Sequence, residues 1–392
     1  MSMVEWFEFR VPGRVICAEH CVDSVGLEMD KAGGKRVLVI TDPGVESAGL
    51  VAALKEGMES GSADIFGVFT DVPPHSEVSV VQNCYQMVNK LGADSLISLG
   101  GGSVIDTAKA TAIVMVEGGE LLDHHSARYF PSGRMPVHIA IPTTAGSGSE
   151  STHTASIADA EQKLKLIFQA PELTPTVAML DPVMTKTLPP KLTATTGMDA
   201  LSHCIEAIHS NHHEPITDGI ALHAIRLIAK YLRGAVADGA DMEARTYMLI
   251  AANMGGIAFS NAYTGIVHAL AHACGGHLGT AHGLANAVIL PHGMEFNLKY
   301  TEQEIPARYR MVAEALGMDI HGDDDITAAR KAVDSVRELA SDIGMPARLR
   351  DAGVPADGLE TAARDSVIEG PIFNNPGEFT YDDALDLFKR AY

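Results

Sequence analysis

The order of apolar and polar positions divides the chain into two halves. The first alternates strand-like and helix-like runs, and the second is helical throughout. Residues 36–41 (RVLVIT) and 94–99 (DSLISL) are short, largely apolar runs, the pattern of strands buried on both faces of a parallel sheet. Residues 64–70 and 137–141 read as two more strands, and 164–168 and 176–181 complete the set. Between them, residues 20–34, 46–60 and 77–92 carry helical spacing, the first closed by Gly33–Gly34 and the last by Gly92. Residues 7–17 predict a short strand or a hairpin turning at Pro12–Gly13. After Thr187-Leu188-Pro189-Pro190 the strand-like runs stop. Helices are expected over 198–210, 217–236 and 243–260, with more helices to the end and a loop at 370–378. The pattern predicts an α/β domain with a parallel, Rossmann-like sheet over residues 1–184. An all-α domain follows over 185–392.

Two strand ends run into loops of small residues. Residues 94–99 lead directly into Gly100-Gly101-Gly102-Ser103, from which a helix carrying Asp106 and Lys109 starts. Strand, glycine turn and helix together let a backbone approach an anion at a helix N-terminus. The strand at 137–141 leads into Pro142-Thr143-Thr144-Ala145-Gly146-Ser147-Gly148-Ser149-Glu150. Two such loops at strand ends suit a dinucleotide better than a single phosphate. Asp42 follows the strand at 36–41, where a carboxylate can accept both ribose hydroxyls and repel a 2′-phosphate. Asp42 before Pro43 is also a good helix N-cap ahead of an N1 proline, and both roles can hold together.

The helical half concentrates histidine. Residues 265–282 (GIVHALAHACGGHLGTAH) contain His268, His272, His277 and His282. His268 and His272 lie four apart, on one helical face. Gly275–Gly276 is expected to break that helix, leaving His277 and His282 in a loop or a new element. In the helix at 198–210 an apolar stripe of Met198, Leu201, Ile205 and Ile208 adjoins a face bearing Asp199, His203 and Glu206. Asp199 and His203, together with two histidines from 265–282, make one carboxylate and three imidazoles. That set suits Fe²⁺ or Zn²⁺ with a position left for substrate. Spacing alone leaves open which histidines bind.

Composition narrows the partners. With 29 basic against 50 acidic residues the net charge is −21, which strongly disfavours a nucleic-acid or anionic-membrane partner, since both need a basic face. The five cysteines (17, 21, 84, 204 and 274) form no CxxC pair and read as reduced thiols of a cytoplasmic protein. No secretory signal or membrane span is expected.

Five stretches, taken in order, carry a family resemblance: GGGS with Asp106 and Lys109, PTTAGSGSE, DP…LPP, GMDALSHCIEA and AFSNAYTGIVHALAHACGGHLGTAHGLANAVILPHGMEFN. From about residue 36 to about residue 300 the chain closely resembles the iron-containing (group III, metal-dependent) alcohol dehydrogenases. The resemblance implies the dehydroquinate synthase-like architecture of that family. It implies reversible hydride transfer between NAD(H) and a small primary alcohol or diol, or the corresponding aldehyde. It implies Asp199, His203, His268 and His282 as ligands of Fe²⁺ or Zn²⁺. His272 would lie near the nicotinamide, poised for proton transfer, His277 would be structural, and Phe259 would be a wall of the substrate pocket. The cofactor would contact Gly100, Gly101, Gly102, Ser103, Asp106, Thr143, Thr144, Ser147 and Lys165. Asp42 matches the NAD-preferring pattern over the NADP one. A homo-oligomer, dimer or higher, is expected. Readings that stay open are a polyol or hydroxyacid dehydrogenase or transhydrogenase on the same fold, and a lyase resembling dehydroquinate synthase. The scarcity of basic residues beside the motifs, Lys109 and Lys165 only, disfavours the lyase. Three segments depart from the family pattern: Val72-Pro73-Pro74-His75, the loop Ser151-Thr152-His153-Thr154, and Asn374-Asn375-Pro376-Gly377 near the C-terminus.

Overall fold

The computed structural model describes residues 6–10, 13–125, 129–160 and 164–392. They fall into two compact units: Val11–Leu188, and Pro189–Tyr392 joined by the stretch that ends at Arg10.

The first unit is an α/β layer structure. Its strands are β1 (Arg14–Cys17), β2 (Arg36–Ile40), β3 (Asp64–Phe69), β4 (Ser95–Gly100), β5 (Val137–Pro142), β6 (Thr154–Asp159), β7 (Leu164–Gln169) and β8 (Val177–Leu180). Its helices are α1 (Val25–Ala32), α2 (Pro43–Ser47), α3 (Leu50–Met58), α4 (Val78–Leu91) and α5 (Gly102–Glu117). Six strands form one sheet in the order β1-β8-β5-β4-β2-β3, and all of its pairings are parallel. Alternation along β2 assigns its side chains to two cores. Val37 and Val39 join Ile97, Leu99, Val25, Met29 and Leu54 on one face. Leu38 and Ile40 join Leu96, Cys84, Val88, Val104 and Ala108 on the other. Each fully buried Leu or Ile stabilises the fold by roughly 1.5–3 kcal/mol, so both faces need helical cover and the strands read as apolar runs. The chain passes from β2 outward to β3 and then returns to β4 on β2's other side. The C-terminal ends of β2 and β4 therefore flank a topological switch point, where open parallel sheets bind ligands.

One expectation for this unit is met in part and another changes. Of the short strand or hairpin expected over residues 7–17, the strand is present as β1, Pro12 of the expected turn lies outside the described residues, and residues 6–10 are irregular. Asn261 holds Arg10 instead, accepting from its N–H (2.6 Å) and donating to its C=O (3.2 Å). Residues 164–168 do not enter the main sheet. They form an antiparallel pair with β6, in register from Thr154↔Gln169 to Asp159↔Leu164, and the sequence reading gave no strand at β6.

The second unit comprises α6 (Pro190–His209), α7 (Pro215–Ala237), α8 (Met242–Ala262), α9 (Ile266–Leu278), α10 (His282–Asn297), α11 (Ile305–Ala315), α12 (Asp325–Asp342), α13 (Leu359–Ser366) and α14 (Tyr381–Ala391). The central helix, α6, is buried almost throughout and packs on α7, α8 and α10. It starts eight residues before the expected Met198. Pro190 occupies its first turn, where a missing N–H is harmless. Thr195 and Thr196 fit inside the helix by donating their hydroxyls back to the carbonyls of Lys191 (3.1 Å) and Leu192 (2.8 Å). No helix among the described residues is long and apolar enough to cross a membrane.

The histidine helix also differs from expectation. Gly275 and Gly276 stay helical, and α9 stops at Gly279, whose φ of 66° is the left-handed C-cap conformation. Two interior glycines cost about 1 kcal/mol each against alanine. Leu278 offsets this by packing directly over Gly358. His277 is therefore in the last helical turn, and its Nε2 lies 2.5 Å from Asp365 Oδ2.

Two buried imidazoles set an acid limit on stability. His138 on β5 bonds Ser98 Oγ at 2.8 Å. Burial, followed by nearby Lys109, pushes its pKa down to about 3. Burial likewise pushes His209 down to about 4, helped by Arg308 and opposed by Glu206. The unfolded chain takes up these protons near 6.5, whereas the native protein refuses them. Their stabilising effect is thus fully present above pH 6.5 and is lost as pH falls below it, by up to about 1.4 kcal/mol per pH unit for each group. Thermal midpoints should fall between pH 6.5 and 4, and His138→Gln should flatten that decline. A variant whose acid limb matches the wild type would contradict this assignment.

Candidate active site

Within the first unit, the two small-residue loops lie against each other. Gly101 is the N-cap of α5, and no side chain caps this sixteen-residue helix. Thr143 N–H donates to Gly100 O at 3.0 Å, which ties the two strand ends together. A Cβ built on Gly102 would stand 2.8 Å from Ser147 Oγ, and one on Gly101 would stand 3.3 Å from Thr144. Glycine at 102 is thus needed for the close approach. Gly100, Gly101, Gly102, Thr143, Thr144 and Ser147 come together as one surface, with Ser103 in the first turn of α5.

Thr41 donates its hydroxyl to Leu99 O (2.7 Å), bringing the end of β2 beside the end of β4. Asp42, the next residue, is the N-cap of α2, and its Oδ1 accepts from the N–H groups of Gly44 (2.8 Å) and Val45 (3.0 Å). The capping role read from Asp42-Pro43 is present, and it fixes the carboxylate at the switch point.

Asp106 behaves differently from its neighbours in the motif. It accepts from Ser149 Oγ (2.5 Å) and from Ser156 N–H (3.0 Å), so its carboxylate holds the second loop in place. Burial raises its pKa, against the pull of Lys109, Ser149 and Ser156. Lys109 is buried beside it and donates to Ser149 Oγ (3.0 Å), Thr152 Oγ1 (2.8 Å) and Thr154 O (2.8 Å). Lys165, on β7, stands within electrostatic reach of Asp106 and of His75.

The second unit holds the other cluster. Asp199 and His203 come from α6, His268 and His272 from α9, and His282 is the first residue of α10. Asp199 Oδ1 lies 3.7 Å from His268 Nε2 and 3.4 Å from His282 Nε2. The donor atoms of these three residues all fall within 4.8 Å of one another. His203 is beside this set but is not part of that convergence. Its ring is stacked between His268 (4.4 Å) and Phe259 (4.2 Å). Phe259, expected in a substrate wall, therefore supports a histidine. His272 stacks on His282 (5.2 Å), and its Nδ1 is 3.4 Å from Glu369 Oε2.

Three residues of this cluster escaped assignment from sequence. Asn286 stands one turn after His282 on α10, a spacing that could have flagged it. Its Nδ2 donates to Asp199 Oδ1 (2.7 Å) and lies 3.3 Å from His268 Nε2 and 3.2 Å from His282 Nε2. Its Oδ1 is buried without a hydrogen-bond partner. Glu206, one turn after His203, is fully buried against His268. Glu369 carries no sequence signal, because the contact spans ninety-seven positions.

Charge is concentrated here. Burial works against ionising Asp199, but His203, His282 and His268 outweigh it and hold the carboxyl well below the usual range. Burial likewise opposes a charged His268, yet Glu206 and Asp199 push its pKa up to about 9. One carboxylate and two imidazoles converging on a point, with an amide in contact with all three donor atoms, are a chemically apt set for a divalent transition metal. The residues present fit such an ion.

Known proteins match this chain over nearly its whole length. Residues 12–182 match the iron-containing alcohol dehydrogenase model, and residues 193–392 match that of the Fe-containing alcohol dehydrogenase family, C-terminal. The chain is 34% identical over 383 residues to an NAD-dependent methanol dehydrogenase of Bacillus methanolicus, covering 98% of this chain and 99% of that one. It is 33% identical over 388 residues to a 1,3-propanediol dehydrogenase of Klebsiella pneumoniae, at 98% and 99% coverage. A solved 1,3-propanediol oxidoreductase superposes with a TM-score of 0.95 at 34% identity, covering 99% of this chain and all of that one. With both units matched in order and a carboxylate–histidine cluster in the second, the chain belongs to the iron-containing alcohol dehydrogenase family and is an oxidoreductase that acts on alcohols.

Proposed function

We propose that the protein is a metal-dependent, NAD-linked dehydrogenase of small primary alcohols or diols, also able to reduce the corresponding aldehydes. The observation that carries this reading is the convergence of Asp199, His268 and His282, with His272 stacked beside His282. Asp199, His268 and His282 would hold the cation, and His203 joins them as the fourth ligand in the family pattern. A bound divalent cation supplies a Lewis acid for the alcohol oxygen, and NAD supplies the hydride acceptor. The chain's own part is orientation and proton handling. Gly100–Ser103 and Thr143, Thr144 and Ser147 receive the dinucleotide, with Asp106 and Lys109 holding the second loop and Lys165 nearby. His272 accepts the hydroxyl proton and passes it outward, Glu369 lying at its Nδ1. Fe²⁺ ahead of Zn²⁺, and a homo-oligomer, complete the proposal.

The test is a panel of methanol, propanol, 1,2- and 1,3-propanediol, glycerol and a 2-hydroxyacid. It is read by NADH absorbance on Fe²⁺- and Zn²⁺-reconstituted protein. Turnover confined to the hydroxyacid, or none with any alcohol, would overturn the reading. Cofactor preference is tested separately. Asp42→Asn keeps the α2 cap, since Asn caps as well as Asp, but removes the negative charge. A charged hydrogen bond contributes about 1.5–3 kcal/mol, so the NAD-over-NADP ratio of kcat/KM should drop about 10–100-fold with the melting temperature unchanged. An unchanged ratio would assign Asp42 to capping alone.

A further inference from the structure

We infer that Glu206 is the positioning residue of the metal site: its single carboxylate caps α9 and fixes the ring of His268 so that Nε2 faces Asp199 and His282. The inference rests on the metal-binding reading above. Glu206 is fully buried on α6, two turns beyond Asp199 and one turn beyond His203. Its Oε1 accepts from three donors at the start of α9, the backbone N–H groups of Gly265 (3.0 Å), Val267 (2.8 Å) and His268 (3.3 Å). Its Oε2 contacts His268 Nδ1. An α-helix leaves its first N–H groups without intrahelical partners, and here a side chain from another helix satisfies them. The same group therefore sets both where α9 begins and how its first histidine is turned.

The chemical consequence concerns the tautomer. A carboxylate can only accept, so the His268 nitrogen facing it is the one that carries hydrogen. When a metal displaces the second proton of the imidazolium, the lone pair is left on Nε2, the atom 3.7 Å from Asp199 Oδ1, as a metal requires. The carboxylate is tightly enclosed. A Cβ on Gly265 would stand 3.3 Å from Glu206 Oε1 and 3.2 Å from both His209 Nε2 and Asn375 Oδ1. Glu206 itself is 0% exposed.

Glutamine separates the capping role from the positioning role. It keeps a carbonyl oxygen for the α9 N–H groups, but it presents an NH₂ donor to His268 Nδ1. That favours the tautomer with hydrogen on Nε2, which opposes metal binding. The experiment uses the full chain, stripped of metal, as wild type, Glu206→Gln and Asp199→Ala. Co²⁺ is titrated against a competing chelator and followed by its visible absorption, and the melting temperature of each metal-free protein is recorded. Glu206→Gln should bind Co²⁺ 10–100-fold more weakly, with a shifted Co²⁺ spectrum, while its metal-free melting temperature stays close to that of the wild type. Affinity within threefold of the wild type would overturn the role of Glu206 and leave the metal site standing. Wild-type protein that binds no Co²⁺, or binds it equally after Asp199→Ala, would overturn the metal reading and this inference with it. Should Glu206→Gln fail to fold, ¹⁵N NMR of histidine-labelled, Zn²⁺-loaded wild type decides instead. Hydrogen on Nδ1 and metal on Nε2 of His268 supports the assignment, and the reverse refutes it.

Discussion

Asp199→Ala should leave a folded protein that neither retains a divalent metal nor oxidises alcohols. Asp199 is the one carboxylate in the convergent set, and it also accepts from Asn286 (2.7 Å). Without it, His268 and His282 face each other with no anion between them. Metal polarisation of the reacting oxygen is worth several kcal/mol of transition-state stabilisation, so kcat/KM should fall on the order of 10³-fold or more. Elemental analysis after dialysis, beside initial rates of NADH formation, checks both halves of the expectation. Wild-type turnover in a metal-free variant would end the metal-dependent reading. Because Asp199 is buried but gains no backbone cap, circular dichroism should change little.

The largest loss of stability is expected at Lys109→Met. The ammonium is 1% exposed and makes three hydrogen bonds into the 149–154 segment, with Asp106 Oδ1 at 3.9 Å. Burial lowers its pKa to about 8, so it remains largely a cation at neutral pH, supported by Asp106 and Glu150. Removing one member of a buried charge pair costs about 3–5 kcal/mol because the other is left uncompensated. At 2–4 °C per kcal/mol for a unit of this size, the melting temperature should drop by roughly 10 °C. NAD affinity should weaken along with it, since the loop bearing Thr143, Thr144 and Ser147 loses its anchor. Adding Asp106→Asn to the same chain should restore part of the stability, a coupling that a double-mutant cycle measures. Additive losses would mean that Lys109 acts through its hydrogen bonds alone.

These two residues also mark how far the sequence could be read. Strands β2, β4 and β5 were legible because burial on both faces demands continuous apolar runs. The glycine turn after β4 was legible because only glycine tolerates Ser147 so close. The histidine cluster was visible from its spacing, and the family resemblance fixed which reaction class it belongs to. Contacts between distant segments were not legible. Asp106 reads as part of a cofactor motif, yet its partners are Ser149 and Ser156, more than forty positions away. Gly275–Gly276 reads as a helix break because local propensity cannot register Leu278 packing on Gly358. Glu206 stood out only as a polar residue on a mixed face, because its four donors belong to a helix some sixty residues later. The β6–β7 hairpin was missed because its first strand mixes small and polar residues and has no apolar run to betray it.

Because residues up to Arg10 group with the helical unit while Val11 opens the other, the backbone passes from one unit to the other twice, at 10/11 and again at 188/189. The helical unit is therefore discontinuous in the gene. A fragment begun at Pro189 omits the strand of backbone that Asn261 clasps, and a faithful excision has to splice the first ten residues onto it. A protease cutting only at the second crossing leaves two separate chains, 1–188 and 189–392, and the shorter one carries away the ten residues that group with the helical unit.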